Sequence, residues 1–140
     1  MCRGLRVCLD GLNGFDGTEG NTVFDDVLNR ILGCVEGASC VLLAASDGVV
    51  VAAAVRDGGP SQDVVAAAMA DLFRKADAAL RDAELGPIEE LTVGSGEGHV
   101  VLREVAPGYL LAMSLERHGS LGRARFELRR AALVLQPELV

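Results

Sequence analysis

The stretch Val41-Leu-Leu-Ala-Ala-Ser-Asp-Gly-Val-Val-Val-Ala-Ala-Ala-Val55 decides how this chain folds. Two apolar runs are separated only by Ser46-Asp47-Gly48. Asp-Gly accepts the positive φ of a tight turn, so the stretch predicts a β-hairpin. The runs are continuous rather than alternating. Strands of that kind are covered on both faces, so helices must lie on each side of the sheet.

The flanking sequence offers three helices. Upstream, Thr22 is a candidate N-cap, with Asp25 three residues on to complement the helix start. Val23, Val27, Leu28, Ile31, Leu32 and Val35 follow at helical spacing, and Gly37 supplies a C-terminal cap. Downstream, Asp57-Gly-Gly-Pro60 breaks the second strand. Ser61 then caps a long Ala-rich helix that runs to about Ala83, before Leu85-Gly86-Pro87. Its main apolar face is read as Val65, Met69, Leu72, Ala76, Leu80 and Ala83. A second seam, Ala67, Ala70, Arg74, Ala78 and Arg81, is read as an outward face that another backbone can approach, although Ala is also simply the best helix former.

Three more strands follow. They are predicted over residues 88–93, 100–105 and 109–115, the last being the most apolar and therefore central. Ser120 caps a final helix whose buried stripe is Leu121, Ala124, Leu128, Ala131 and Leu135, and Pro137 is expected to end it. Gly122 is read as allowing that helix to lie close on the sheet. The order of elements is α-β-β-α-β-β-β-α.

At 140 residues this is one domain, taken as residues 22–140 after a flexible N-terminal tail of residues 1–21. The formal net charge is −7, which argues against nucleic acid as a partner. Charge is unevenly placed, with acids gathered between Asp10 and Glu36 and arginines at 123, 125, 129 and 130. No apolar run is long enough to span a membrane, and no sustained apolar stretch follows the N-terminal arginines. A cytoplasmic location is the expectation. Cys2, Cys8, Cys34 and Cys40 have spacings wider than zinc knuckles; Cys34 and Cys40 are read as small buried residues.

Chemistry-bearing patterns are few. His99 and His118 fall beside predicted turns and read as solvated. Glu89 and Glu90 point to opposite faces of a strand, so they are not a carboxylate pair. Gly94-Ser-Gly-Glu-Gly98 leads into a strand, whereas a phosphate loop leads into a helix N-terminus. No nucleophile with a base and orienting group is marked out. The expectation is a non-catalytic protein without cofactor or metal.

Ala45-Ser-Asp-Gly48, Val100-Val-Leu-Arg103, Gly108-Tyr-Leu-Leu111 and Leu121-Gly-Arg-Ala-Arg-Phe-Glu-Leu-Arg129, in that order, resemble the Roadblock (dynein light chain) domain family, in particular its bacterial MglB-like members. The resemblance covers about residues 22–139. It implies a three-layer α/β/α sandwich of Roadblock/profilin-like type, with a five-stranded antiparallel sheet, the long helix on one face and the terminal helices on the other. It implies a homodimer made by joining sheet edges and pairing long helices. The expected interface then includes Ala67, Ala70, Arg74, Ala78 and Arg81, with Glu90 and Thr92 on the edge strand. Similar bacterial proteins regulate Ras-like small GTPases without inserting an arginine finger. The implied function is a homodimeric regulator of such a GTPase. The alternative is a scaffold dimer with no effect on GTP hydrolysis, and a small-ligand sensor is a third reading.

Overall fold

The Asp47-Gly48 turn is built as its chemistry requires. Gly48 has φ +92° and donates its N–H to the Ala45 carbonyl at 2.8 Å. The Asp47 carboxylate accepts the Val49 N–H at 3.1 Å, and Ala45 donates to the Val49 carbonyl at 2.9 Å. An aspartate that satisfies the backbone two residues on stabilises the turn locally.

A computed structural model describes residues 20–56 and 61–139. Its elements are α1 (Gly20–Cys34), β1 (Ala38–Ala45), β2 (Val50–Val55), α2 (Gln62–Asp82), β3 (Glu90–Gly94), β4 (Gly98–Ala106), β5 (Tyr109–Glu116) and α3 (Leu121–Leu139). They form a five-stranded antiparallel sheet in the order β2-β1-β5-β4-β3. The apolar β5 lies at its centre, as its sequence suggests, and β2 and β3 are the edges.

Alternation along β1 divides the core in two. Val41 and Leu43 face α1 and α3, packing with Leu28, Val35, Leu128 and Leu135. Cys40, Leu42 and Ala44 face α2, packing with Ala66, Ala70 and Phe73. Val41 and Leu43 are fully buried and Leu42 nearly so, which is why the β1 run does not alternate; in the edge strand β2, Ala52 and Ala54 are buried while Val51, Ala53 and Val55 are half-buried.

One crossing joins the two terminal helices to the sheet. Gly37 has φ +84°, and a Cβ added there would lie 2.4 Å from the Gly119 Cα. The Glu36 carbonyl accepts the Ser120 N–H at 3.1 Å and the Gly37 carbonyl accepts the Glu116 N–H at 2.8 Å. The end of α1 and the start of α3 therefore meet at one point. Arg56 closes α1 from the other side, donating to the Leu32 carbonyl at 2.9 Å and to the Ala38 carbonyl.

Several boundaries differ from the sequence reading. α1 begins at Gly20, so Thr22 lies inside it rather than capping it. Ser61 occupies the N-cap position of α2, but its side chain makes no capping bond. Ser120 does cap α3, accepting the Arg123 N–H at 3.3 Å. Pro137 lies within α3, which continues to Leu139. A proline this near a helix end interrupts little of the ladder. Gly122 is exposed with nothing near its absent Cβ, so it does not serve close packing on the sheet. The tail reading for residues 1–21 lies almost wholly outside the described residues, as do Cys2 and Cys8.

Candidate functional site

α2 is the long helix on the sheet face opposite α1 and α3. Its underside is Ala66, Ala70 and Phe73, each buried against the sheet. At 3.6 residues per turn, Val65, Met69, Leu72, Ala76 and Leu80 fall on one flank. These five are only half-buried. The opposite flank carries Ala67, Arg74, Ala78 and Arg81, all exposed.

This corrects the sequence reading. Periodicity assigns the large apolar stripe to the sheet, and it does pack against the sheet-side core, but the fully buried row beneath the helix is Ala66, Ala70 and Phe73. Small residues let the helix axis approach the strands, and Phe73 fills the remaining gap. Ala70 is 2% exposed and lies beneath the helix, so it is not part of an outward seam. The other seam residues stay on the surface. Ala67 sits close to the hairpin turn, its Cα 3.1 Å from where a Gly48 Cβ would be.

Polar contacts hold α2 in place. Arg74 donates to the Ser46 carbonyl at 2.9 Å and pairs with Asp71 at 3.0 Å. Lys75 reaches the same Asp71 at 2.9 Å. These cations hold the Asp71 carboxyl below its ordinary value, Lys75 most strongly. Asp77 accepts the Ile88 N–H at 2.9 Å and pairs with Arg81 at 3.0 Å. The backbone bond from Ile88 is the larger cause lowering the Asp77 pKa, and Arg81 adds to it. Asp77 thus ties α2 to the approach of β3. Ser46, Phe73, Arg74, Asp77, Arg81 and Glu104 border a shallow cleft of about 110 Å³ on this flank.

β3 is an open edge, as expected, and Thr92 is exposed on it. Glu90 is not a free edge residue. Its carboxylate pairs with Arg103 at 3.3 Å and with Arg125 of α3 at 2.6 Å, and its side chain is mostly buried. Glu90 stands directly across the ladder from Arg103, which explains the first pair. On the α2 side of the sheet, Leu91 and Val100 are half-buried like the α2 stripe.

His118 is exposed and lies 3.1 Å from Glu116. His99 follows the turn into β4, as read, but is half-buried rather than solvated, with its Nδ1 unpartnered. Cys40 is buried, which raises its thiol pKa; Cys34 is only half-buried. Glu127 is 3% exposed and lies 3.1 Å from Arg123 Nε, though the N–H is not aimed for a hydrogen bond. Among the described residues no group of three or more His, Cys, Asp or Glu side chains could hold a metal. No described helix is long and apolar enough to cross a membrane.

Asp77 and Phe73 are what sequence reasoning missed at this site. The signal available was Phe73 itself. It is the only aromatic residue of α2, and an underside drawn through it passes through Ala66, Ala70 and Asp77.

A three-layer sandwich with, among the described residues, one long helix on one face and two on the other is the class of domain these features define. The profile of the Roadblock/LC7 domain matches residues 24–114, and the chain belongs to that family. Among solved structures, it resembles a Roadblock/LC7 domain from Streptomyces avermitilis, at 20% identity and TM-score 0.75 over 82% of this chain and 96% of that one. It is also similar to the gliding protein MglB from Thermus thermophilus, at 20% identity and TM-score 0.74 over 89% and 91%. More distantly it shares the fold of profilin II from Acanthamoeba castellanii, at 16% identity and TM-score 0.54 over 84% and 97%. No curated protein sequence matches it.

Proposed function

We propose that this chain is a non-catalytic, homodimeric regulator of a Ras-like small GTPase. One observation carries the reading. The large apolar row of α2 packs against the core yet stays half-buried, and β3 is an open sheet edge, while the small row is fully buried. Val65, Met69, Leu72, Ala76 and Leu80 form the pairing surface for the α2 of a second copy. Thr92 lies on the edge that meets the second sheet. The other flank, with Ala67, Arg74, Ala78 and Arg81, faces the GTPase. Arg74 and Arg81 are already engaged by Asp71, Ser46 and Asp77. That suits them to positioning a partner rather than to insertion as a transition-state finger. Family membership alone does not establish activation, so the site carries the argument.

The test is phosphate release by a Ras-like GTPase encoded beside this protein, measured with and without it. Stimulated hydrolysis, reduced by Arg74→Ala, is the expected result. Binding that ignores nucleotide state, with no rate change, would favour the scaffold reading. No binding to any such GTPase would remove this reading.

A further inference from the structure

In the proposed dimer β3 is the sheet edge given to a second copy, which leaves β2 at the other end of the sheet. The residues of β2, Val50–Val55, carry no charge and no proline, the features that ordinarily blunt an open edge. A bulge leaves Val51 unmatched, and Ala52–Val55 run in regular register with β1.

The ladder shows which backbone groups are left over. Arg56 donates its N–H to the Ser39 carbonyl at 3.0 Å, so Ala54 and Ala52, at alternate positions before it, also turn their backbone groups to β1. Ala53 and Val55 turn their N–H and C=O outward, where among the described residues no strand meets them. Their side chains stand half-buried on the α2 side of the sheet.

Acids flank this edge from both faces. Val41 and Leu43 face α1, and Ala45 bonds Val49 across the hairpin. In a strand of L-residues this places β2 on the right when β1 rises and α1 faces the viewer. α1 descends over β1 and β2, so its right-handed turn sends Asp25, Asn29 and Leu32 toward the β2 edge. Arg30 lies about 140° round the helix from Asp25, away from that edge. On the other face, Asp63 stands one turn before Ala67, which lies against the Gly48 turn. Asp25, Asp47 and Asp63 are exposed, and among the described residues none forms an ion pair. Arg56 is at the far end of the strand, bonded to the Leu32 and Ala38 carbonyls. Asp25 is about 14 Å before the end of α1, so acid and base stand at opposite ends of β2.

We infer that the β2 edge is a docking site for an extended segment of another protein, in which basic residues alternate with apolar ones. The segment adds a strand through the Ala53 and Val55 backbone groups. Its apolar side chains lie on the α2 side, beside Ala53 and Val55. Its Lys or Arg side chains lie on the α1 side, toward Asp25 and short of Arg56. Alternation is required because successive side chains of a strand point to opposite faces. Asp47 and Asp63 add negative potential at the hairpin end. None of this depends on a GTPase partner.

The test uses a fluorescein-labelled peptide of about ten residues that alternates Lys with Val, titrated with the full chain in low salt and read by anisotropy. Saturable binding with a Kd of about 10–500 µM is expected. A peptide of the same composition, with Lys and Val in two blocks, is expected to bind at least about tenfold more weakly. Ala53→Pro removes an outward N–H without touching the β1 ladder; it is expected to weaken binding at least about tenfold with an unchanged circular dichroism spectrum. Asp25→Lys/Asp63→Lys is expected to weaken it by about tenfold. No binding of the alternating peptide at about 1 mM would overturn the inference. Equal binding of the block peptide would also overturn it, since charge attraction alone would then suffice. That comparison needs no variant and stands even where Ala53→Pro fails to fold. A wild-type mass that grows with concentration and stops growing in Ala53→Pro would give the edge to a second copy, and would overturn it too.

Discussion

Gly37→Ala is the perturbation that best tests how the terminal helices are fixed to the sheet. Two costs are separable. A non-glycine residue at φ +84° costs about 1–2 kcal/mol. The new Cβ would also stand 2.4 Å from the Gly119 Cα, so one chain must retreat by roughly 1 Å to reach ordinary contact. Neither side retreats freely, because the Glu36 and Gly37 carbonyls are bonded to Ser120 and Glu116. Overpacking of this kind costs about 1–3 kcal/mol, giving a total of about 2–5 kcal/mol. Gly108 is the control. It has φ +86° but nothing within 4 Å of its absent Cβ, so Gly108→Ala should cost only about 1–2 kcal/mol. Gly37→Asn separates the costs from the other direction, since asparagine tolerates the left-handed region yet keeps the clash. Urea unfolding of the three variants, read as a change in midpoint at constant slope, measures this. Equal destabilisation by Gly37→Ala and Gly108→Ala would refute the crossing of Gly37 over Gly119.

Three further outcomes are expected. Ala70→Glu should abolish cooperative thermal unfolding, because it places a carboxylate where 2% of the residue is exposed; Ala78→Glu should leave the melting temperature within a few degrees. Phe73→Ala should destabilise by about 3–5 kcal/mol in urea titration, since the ring is 8% exposed under α2. Asp77 has a folded pKa below its ordinary 3.8, so its contribution is present above that value and is lost as pH falls through the lower folded value. The melting-temperature gap between wild type and Asp77→Asn should therefore be full at neutral pH and shrink below about pH 4.

Most of the layout was legible because it depends on local chemistry. Asp47-Gly48 fixes a hairpin whatever surrounds it, and the continuous apolar run of β1 reports burial on both faces, whereas the equally apolar β2 is an edge strand half-buried on one face. Ser120 caps α3 through its own hydroxyl. What stayed hidden depends on contacts distant in sequence. α2 has two apolar rows, and periodicity cannot say which is fully buried; Ala66, Ala70 and Phe73 lie beneath the helix, while the larger row packs against the same core and stays half-buried. Glu90 looked like a free edge residue because its partner Arg125 lies 35 positions away. The tie from Asp77 to the Ile88 backbone spans two elements and has no sequence signature. The error on α2 concerns which of its rows is fully buried.

The account rests on the pairing of the half-buried row of α2, and the mass of two variants tests it. Leu72→Asp places a charge in the middle of the half-buried row, whereas Ala78→Glu places one on the opposite flank. Light scattering of the folded proteins should show Leu72→Asp at half the wild-type mass and Ala78→Glu at the full wild-type mass. A Leu72→Asp protein that keeps the wild-type mass, or an Ala78→Glu protein that loses half of it, would contradict the pairing of large apolar rows.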